Sequence, residues 1–225
     1  MVACSKLLKD DQLVWRYMNI PAFLDLLQRR ALFFPSLKTL SAADPWEGTL
    51  WDSQREQFGS VLELSSEDQM KLVKTFERFS QPVTFVNCWH MNEVESAAMW
   101  AIYASQQGLV IQSDVGSLKV ALHEAKEVYI DPVRYAPTDE DVSDQQRYSL
   151  CKRSSFAHER ELRVLTVIPD ESEIGVHIPV NVTKLVKAVL VNPCSPPWIC
   201  EAIKNVSRLY GHDFAVQSSR LNSVR

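Results

Sequence analysis

Glu159-Arg160-Glu161 stands immediately before the apolar run Leu162-Arg163-Val164-Leu165. In an extended chain residues two apart share a face, so both carboxylates would project to one side. Carboxylates that close have their pKa values pushed apart, which suits acid/base work or stabilisation of a cation. The surrounding segment is basic. From Arg147 to Arg163 it carries Arg147, Lys152, Arg153, Arg160 and Arg163 against Glu159 and Glu161, with His158 beside them. That composition reads either as a solvated face or as a phosphate-contacting surface.

Three further places combine polar groups with apolar surroundings. Arg16 lies inside Leu13-Val14-Trp15-Arg16-Tyr17-Met18. If Trp15 and Tyr17 share one strand face, Arg16 points to the other, where it is either an edge-strand side chain or an anion-binding group at a cleft. Asp44-Pro45-Trp46-Glu47-Gly48 reads as a turn carrying two carboxylates and an indole. Cys88-Trp89-His90 leaves a strand just before Asn92 and Glu93. Cys88, His90 and Glu93 make a poor metal set, because adjacent ligands rarely close a tetrahedral site without two more, so no metal is expected. Trp89 and Trp100 read as core residues before they read as a stacking platform.

The elements that must position these groups follow from pattern. Leu13–Met18 and Leu32–Phe34 are expected strands, separated by a helix that Asn19 caps, with Pro21 in its first turn. Ser36–Trp51 reads as a loop. Ser65 followed by Asp68 opens a helix over Glu67–Phe79, and Val83–Cys88 is a strand. A helix begins at Asn92, Gly108–Ser113 is a strand, and Asp114 caps the next helix. Glu127–Tyr135 reads as a strand that Pro132 confines to an edge. Thr138–Ser155 is polar, a long loop or short helix. Glu161–Ile168, Val176–Val180 and Leu185–Val191 are strands, and a helix runs from Pro197 to Tyr210 before a last strand at Phe214–Gln217. The interleaving is irregular, which predicts an α+β fold with a mixed, largely antiparallel sheet. No linker divides the chain, so residues 1–225 are read as a single domain.

Composition removes several classes. The 225 residues are 46% hydrophobic and 23% charged, with 24 basic and 28 acidic side chains, a formal charge of −4. That excludes whole-chain disorder and argues against coating nucleic acid by bulk charge. Six glycines supply neither GxGxxG nor a P-loop, and HExxH and GxSxG are also missing. Five scattered cysteines without a CxxC pair read as free thiols in a reducing cytoplasm. No apolar stretch approaches a membrane span, and the first residues lack the apolar core of a signal peptide, so a soluble cytoplasmic protein is expected.

Taken in order, Trp15-Arg16-Tyr17, Leu32-Phe33-Phe34, Asp44-Pro45-Trp46-Glu47-Gly48, Cys88-Trp89, Ser96-Ala97-Ala98-Met99-Trp100 with Tyr103, Gly108-Leu109-Val110-Ile111 and Phe156 through Glu161-Leu162-Arg163 make a pattern. The pattern resembles a widespread bacterial and phage-associated domain family of unknown function, and spans nearly the whole chain. The resemblance implies a setting among phage-defence and mobile-element genes. A looser similarity is to ADP-ribosyltransferases of the arginine–serine–glutamate type. By that similarity Arg16, Ser36 and Glu159-x-Glu161 are the matching positions, although Phe34-Pro35-Ser36 departs from the family's serine motif. It implies NAD as substrate, Arg16 on the diphosphate, Glu161 on the ribose and its developing cation, and Glu159 on the acceptor. Tyr17, Trp46 or Trp89 would stack on nicotinamide, and His90, Lys152 and Arg163 complete the binding set.

Two other classes fit the same residues. Asp44, Glu47, His90, Lys152, Glu159 and Glu161 would serve a nuclease or other phosphodiester-cleaving effector if the carboxylates converge on Mg²⁺. In a non-catalytic binding or immunity module, Arg16, Glu161 and Arg163 would instead form a buried ion-pair network joining two strands.

Overall fold

The computed structural model describes residues 2–51, 55–56, 65–104, 107–135, 145–169 and 174–221, without the side chains of 145–147. Strand β1 (Val2–Cys4) is followed by β2 (Leu13–Asn19), helix α1 (Ile20–Arg29) and β3 (Ala31–Pro35). A short helix α2 (Leu37–Leu40) and the longer α3 (Ser66–Ser80) lead to β4 (Thr84–Met91). Then come α4 (Ala97–Met99), continued by a π-helical turn over Trp100–Ala104, β5 (Gly108–Asp114) and α5 (Val115–Ala121). Strands β6 (Val128–Pro132) and β7 (Arg134–Tyr135) precede a 3₁₀ turn at Gln145–Leu150 and β8 (Cys151–Lys152). A second 3₁₀ turn at Ser154–Glu159 enters β9 (Glu161–Val167). Strand β10 (Gly175–Pro179), helix α6 (Val182–Leu185), β11 (Ala188–Val191), α7 (Trp198–Leu209) and β12 (Ala215–Ser218) follow.

Local chemistry accounts for several of these boundaries. The Asn19 side chain accepts from Ala22 N, Ser65 from Asp68 N and Asp114 from Ser117 N, each satisfying an amide that the first helical turn leaves unpaired. The fold is α+β. Eight strands form one mixed, mostly antiparallel sheet in the order β1-β6-β9-β4-β2-β5-β11-β12, with parallel pairs only at its two ends. One end is a βαβ crossover, β11-α7-β12, which the parallel pairing requires. Strands β3 and β10 pair separately, as do β7 and β8.

Four local expectations change. The helix expected from Asn92 begins only at Ala97, because Ser96 rather than Asn92 caps it, accepting from Met99 N. Ser36–Trp51 is not wholly loop, because Ser36 caps α2. Residues 127–135 are not one edge strand: the ladder stops at Pro132, and β6 is interior because β1 pairs along its other side. The stretch 185–191 is a helix end followed by a strand, since Asn181 caps α6 first. Of the polar segment after Thr138, residues 138–144 lie outside the described residues.

The two faces of the sheet are covered differently. On one face Val14, Ile111, Leu162 and Val164 join Phe23 and Leu27 of α1, Leu118 of α5 and Ile203 of α7 in a single core. On the other face the apolar cover comes in two separate pieces. Trp15, Tyr17, Met99, Trp100 and Val110 make one, and Leu37, Val73, Val86, Tyr148 and Leu165 make the other. Strand alternation places Trp15 and Tyr17, Cys88 and His90, and Glu161 and Arg163 on this second face, since Trp15 pairs with His90, His90 with Glu161 and Cys88 with Arg163. The polar members of that set fall between the two apolar pieces.

Candidate functional site

The site begins as a gap in the sheet. Strands β2 and β5 pair continuously from Leu13–Asp114 to Asn19–Gly108, whereas β2 and β4 pair only at Val14–Met91 and Trp15–His90. Beyond that point Arg16 Nη1 spans the opening and donates to the Cys88 carbonyl oxygen at 2.8 Å. Arg16 meets no carboxylate among the described residues, and burial pushes its pKa down from the ordinary guanidinium value. It lines cavities on both sides of the sheet. The larger, about 350 Å³, lies on the second face, and another of about 320 Å³ lies beside Met18, Leu32 and His177. The larger falls in the roughly 300–1,000 Å³ range of small-molecule sites.

Opposite Arg16, the cavity wall is an ion-pair cluster built on Arg163, whose side chain is fully buried. Its Nε donates to Glu161 Oε1 at 2.8 Å and its Nη2 to Glu161 Oε2 at 3.3 Å. Nη1 and Nη2 reach Glu47 Oε1 and Oε2 at 2.6 and 3.0 Å, and Nη1 also donates to the Ser149 carbonyl at 2.5 Å. Lys152 Nζ joins Glu159 Oε2 at 2.5 Å and Glu161 Oε2 at 3.0 Å, with Glu47 Oε2 at 3.9 Å. Tyr103 donates its hydroxyl to Glu159 Oε1.

Backbone geometry brings these groups together. Gly48 takes a left-handed φ of 67°, and a Cβ there would lie 2.9 Å from Leu37, so the Asp44–Gly48 turn closes tightly enough to bring Glu47 down onto Arg163. Glu159 and Glu161 do meet, but not by strand alternation. Glu159 ends a 3₁₀ turn, Arg160 is left-handed at φ 40°, and only Glu161 belongs to the strand; Lys152 holds both carboxylates.

The electrostatics follow from this packing. Burial alone would raise the Glu161 pKa, yet Arg163 and Lys152 beside it, with hydrogen bonds from Arg163 and the Cys88 thiol, hold it down at about 2. Burial also opposes the charge on Lys152, but Glu161, Glu47 and Glu159 outweigh it and hold the ammonium firmly protonated. Burial and then Glu161 push the Cys88 thiol far up, so it is not a nucleophile at neutral pH. The Tyr103 hydroxyl is raised by burial and by its bond to Glu159.

The expected site residues separate into groups. Arg16, Tyr17, Trp89, His90, Lys152, Glu159, Glu161 and Arg163 all line the larger cavity. Trp46 is exposed on a smaller one of about 150 Å³, which shares Asp44, Glu47 and Lys152 with it. Ser36 does not reach either: it is fully buried, and its hydroxyl accepts from Thr39 N as the cap of α2. Arg163 is a structural tie rather than a free binding group. The basic segment 147–163, read as either a solvated face or a phosphate-contacting surface, is divided: Lys152 and Arg163 are paired internally, whereas Arg153 and Arg160 are exposed and bond Asp44 at 2.9 Å and Asn92 at 3.2 Å. Glu47, Glu159 and Glu161 converge on these cations of the chain. Among the described residues no group of three or more His, Cys, Asp or Glu side chains is arranged to hold a metal ion.

Sequence reasoning gave no role to Tyr103 or Phe156, which line the cavity beside Glu159, and did not pair Glu47 with Arg163. Tyr103 follows the Ser96–Trp100 block by a turn, but nothing in its sequence neighbourhood points to Glu159. Among the described residues no helix is long and apolar enough to cross a membrane. No protein-family model, no curated protein and no solved structure matches the chain.

Proposed function

We propose that the cleft binds NAD and that the protein transfers ADP-ribose from it. The observation that supports this reading is Arg16: a half-buried guanidinium that meets no carboxylate among the described residues, in an aromatic-walled cavity that also holds a carboxylate cluster. A phosphate is the natural partner for such a group. Trp46, on the adjoining smaller cavity, is available to stack on a ring of the dinucleotide.

The reacting carboxylate is Glu159 rather than Glu161. A carboxylate offers about four lone-pair sites. Glu161 receives Arg163 on both oxygens and Lys152 as well, which leaves it little acceptor capacity. Glu159 receives Tyr103 and Lys152, which leaves acceptor capacity for a ligand. In the reaction the bond from ribose C1′ to the nicotinamide nitrogen breaks, and both electrons leave with nicotinamide. Glu159 stabilises the cation at C1′ and takes the proton of the acceptor as the new bond to C1′ forms. The five free cysteines accord with a reducing cytoplasm as the working compartment.

The test is nicotinamide release from NAD by the purified protein, with water as acceptor. Glu159→Gln should abolish release, and Arg16→Met should raise KM with little change in melting temperature. Absence of release by folded wild-type protein would overturn the reading. A second reading, a binding module without chemistry, is favoured by one observation, the Glu47–Arg163–Glu161 cluster, which is built as architecture. ADP binding without release from NAD would select it.

A further inference from the structure

His90 is 3% exposed and lines the larger cavity, yet one of its two ring nitrogens has no partner among the described residues. Its Nδ1 lies 2.6 Å from the Glu159 carbonyl oxygen. A carbonyl oxygen can only accept, so Nδ1 carries the hydrogen. Burial pushes the ring's pKa down and keeps it neutral, which leaves a bare lone pair at Nε2. A buried acceptor without a donor is costly, and such groups in native proteins call for a reason.

Among the described residues no neighbour donates to it. Trp15 Nε1 is committed to the Asn92 carbonyl at 2.8 Å, and Trp89 Nε1 to Asn87 Oδ1 at 2.8 Å. Arg16 Nη1 is committed to the Cys88 carbonyl. Tyr17 presents its ring edge-on to His90, 6.1 Å between centroids, while its hydroxyl takes the Ser96 amide. What remains is an acceptor that no described residue answers, in a cavity walled by aromatic rings and lined also by Glu159.

On the reading that NAD is the substrate, we infer that His90 Nε2 accepts a hydrogen bond from the carboxamide N–H of nicotinamide and so sets specificity for the leaving group. The deamidated dinucleotide, nicotinic acid adenine dinucleotide, offers a carboxylate at that position. It has no hydrogen to give, and its charge would face a lone pair in a desolvated pocket.

The experiment measures kcat/KM for release of the pyridine base from both dinucleotides, for wild type and His90→Asn, with a melt on each protein. The asparagine amide can still donate to the Glu159 carbonyl but presents nothing where Nε2 was. Wild type should prefer NAD by about a hundredfold or more, since a site built around a hydrogen bond rejects a partner that cannot make it. His90→Asn should keep its melting temperature within a few degrees and lose most of that preference, roughly a tenfold or greater loss for one buried hydrogen bond. Equal rates on both dinucleotides by wild type would overturn the inference while leaving NAD chemistry intact, and so would an undiminished preference in folded His90→Asn. If the variant does not fold, the wild-type comparison still decides. No base released from either dinucleotide, with no heat of NAD binding by calorimetry, would overturn the functional reading and this inference with it.

Discussion

All five N–H bonds of the Arg163 guanidinium are spent, four on Glu47 and Glu161 and one on the Ser149 carbonyl. A charge buried so completely is held by its partners, and the partners by it. Removing one leaves the others desolvated and unpaired, so Glu161→Gln should cost about 3–5 kcal/mol in urea unfolding. Glu159→Gln should cost clearly less, because Lys152 keeps Glu161 and the amide oxygen can still accept from Tyr103. The two variants therefore separate architecture from chemistry: the first should unfold early, and the second should fold and fail to release nicotinamide. An equal loss of stability in both would count against the division of roles. In the sequence the two glutamates look alike, and even favour Glu161 as the reacting group. Only the count of donors around each distinguishes them. Arg16 was legible as an unusual arginine in a strand, but among the described residues the tie to Glu161 and Arg163 that a binding module would require does not form, and Arg16 reaches the Cys88 carbonyl instead.

At the scale of elements, caps and turns set positions that the site inherits. Ser36 is a case where a functional reading and a structural one diverge. Its hydroxyl caps α2 and also lies 3.0 Å from Thr39 Oγ1, away from the cavity. Ser36→Ala should therefore lower stability by about 1 kcal/mol, the usual worth of such a cap, and leave nicotinamide release unchanged. A loss of release without loss of stability would return Ser36 to the site. The caps at Asn19, Ser65 and Asp114 were readable because the acceptor and the amide it satisfies lie three residues apart. The parting of β2 from β4 was not readable. Both strands have ordinary strand sequences, and the loss of pairing after Trp15–His90 depends on how each is held by its other neighbour, β5 and β9.

Across the whole molecule, the ion-pair cluster links the pH dependence of stability to the site. The Glu161 pKa falls from an ordinary value near 4.5 to about 2 on folding. A depressed carboxylate contributes stability that is fully present above its unfolded pKa and disappears as pH falls through the folded one. The melting temperature should thus decline as pH drops from about 5 to 2, and Glu161→Gln should flatten that decline; a variant with the wild-type slope would assign the acid sensitivity elsewhere. What the sequence determined by itself was the α+β class, most of the strands and helices, the capped helix starts and the short list of polar residues in apolar surroundings. Those are matters of periodicity and of contacts within a few residues, where the chain's own connectivity fixes who meets whom. Only the tertiary structure decided that Glu47 and Arg163, 116 residues apart, share two hydrogen bonds, that Arg16 spans a split of the sheet to the Cys88 carbonyl, and that His90 keeps an acceptor no described residue answers. Each depends on distant segments arriving at one place, and whether a buried charge is spent or available is a property of everything packed around it.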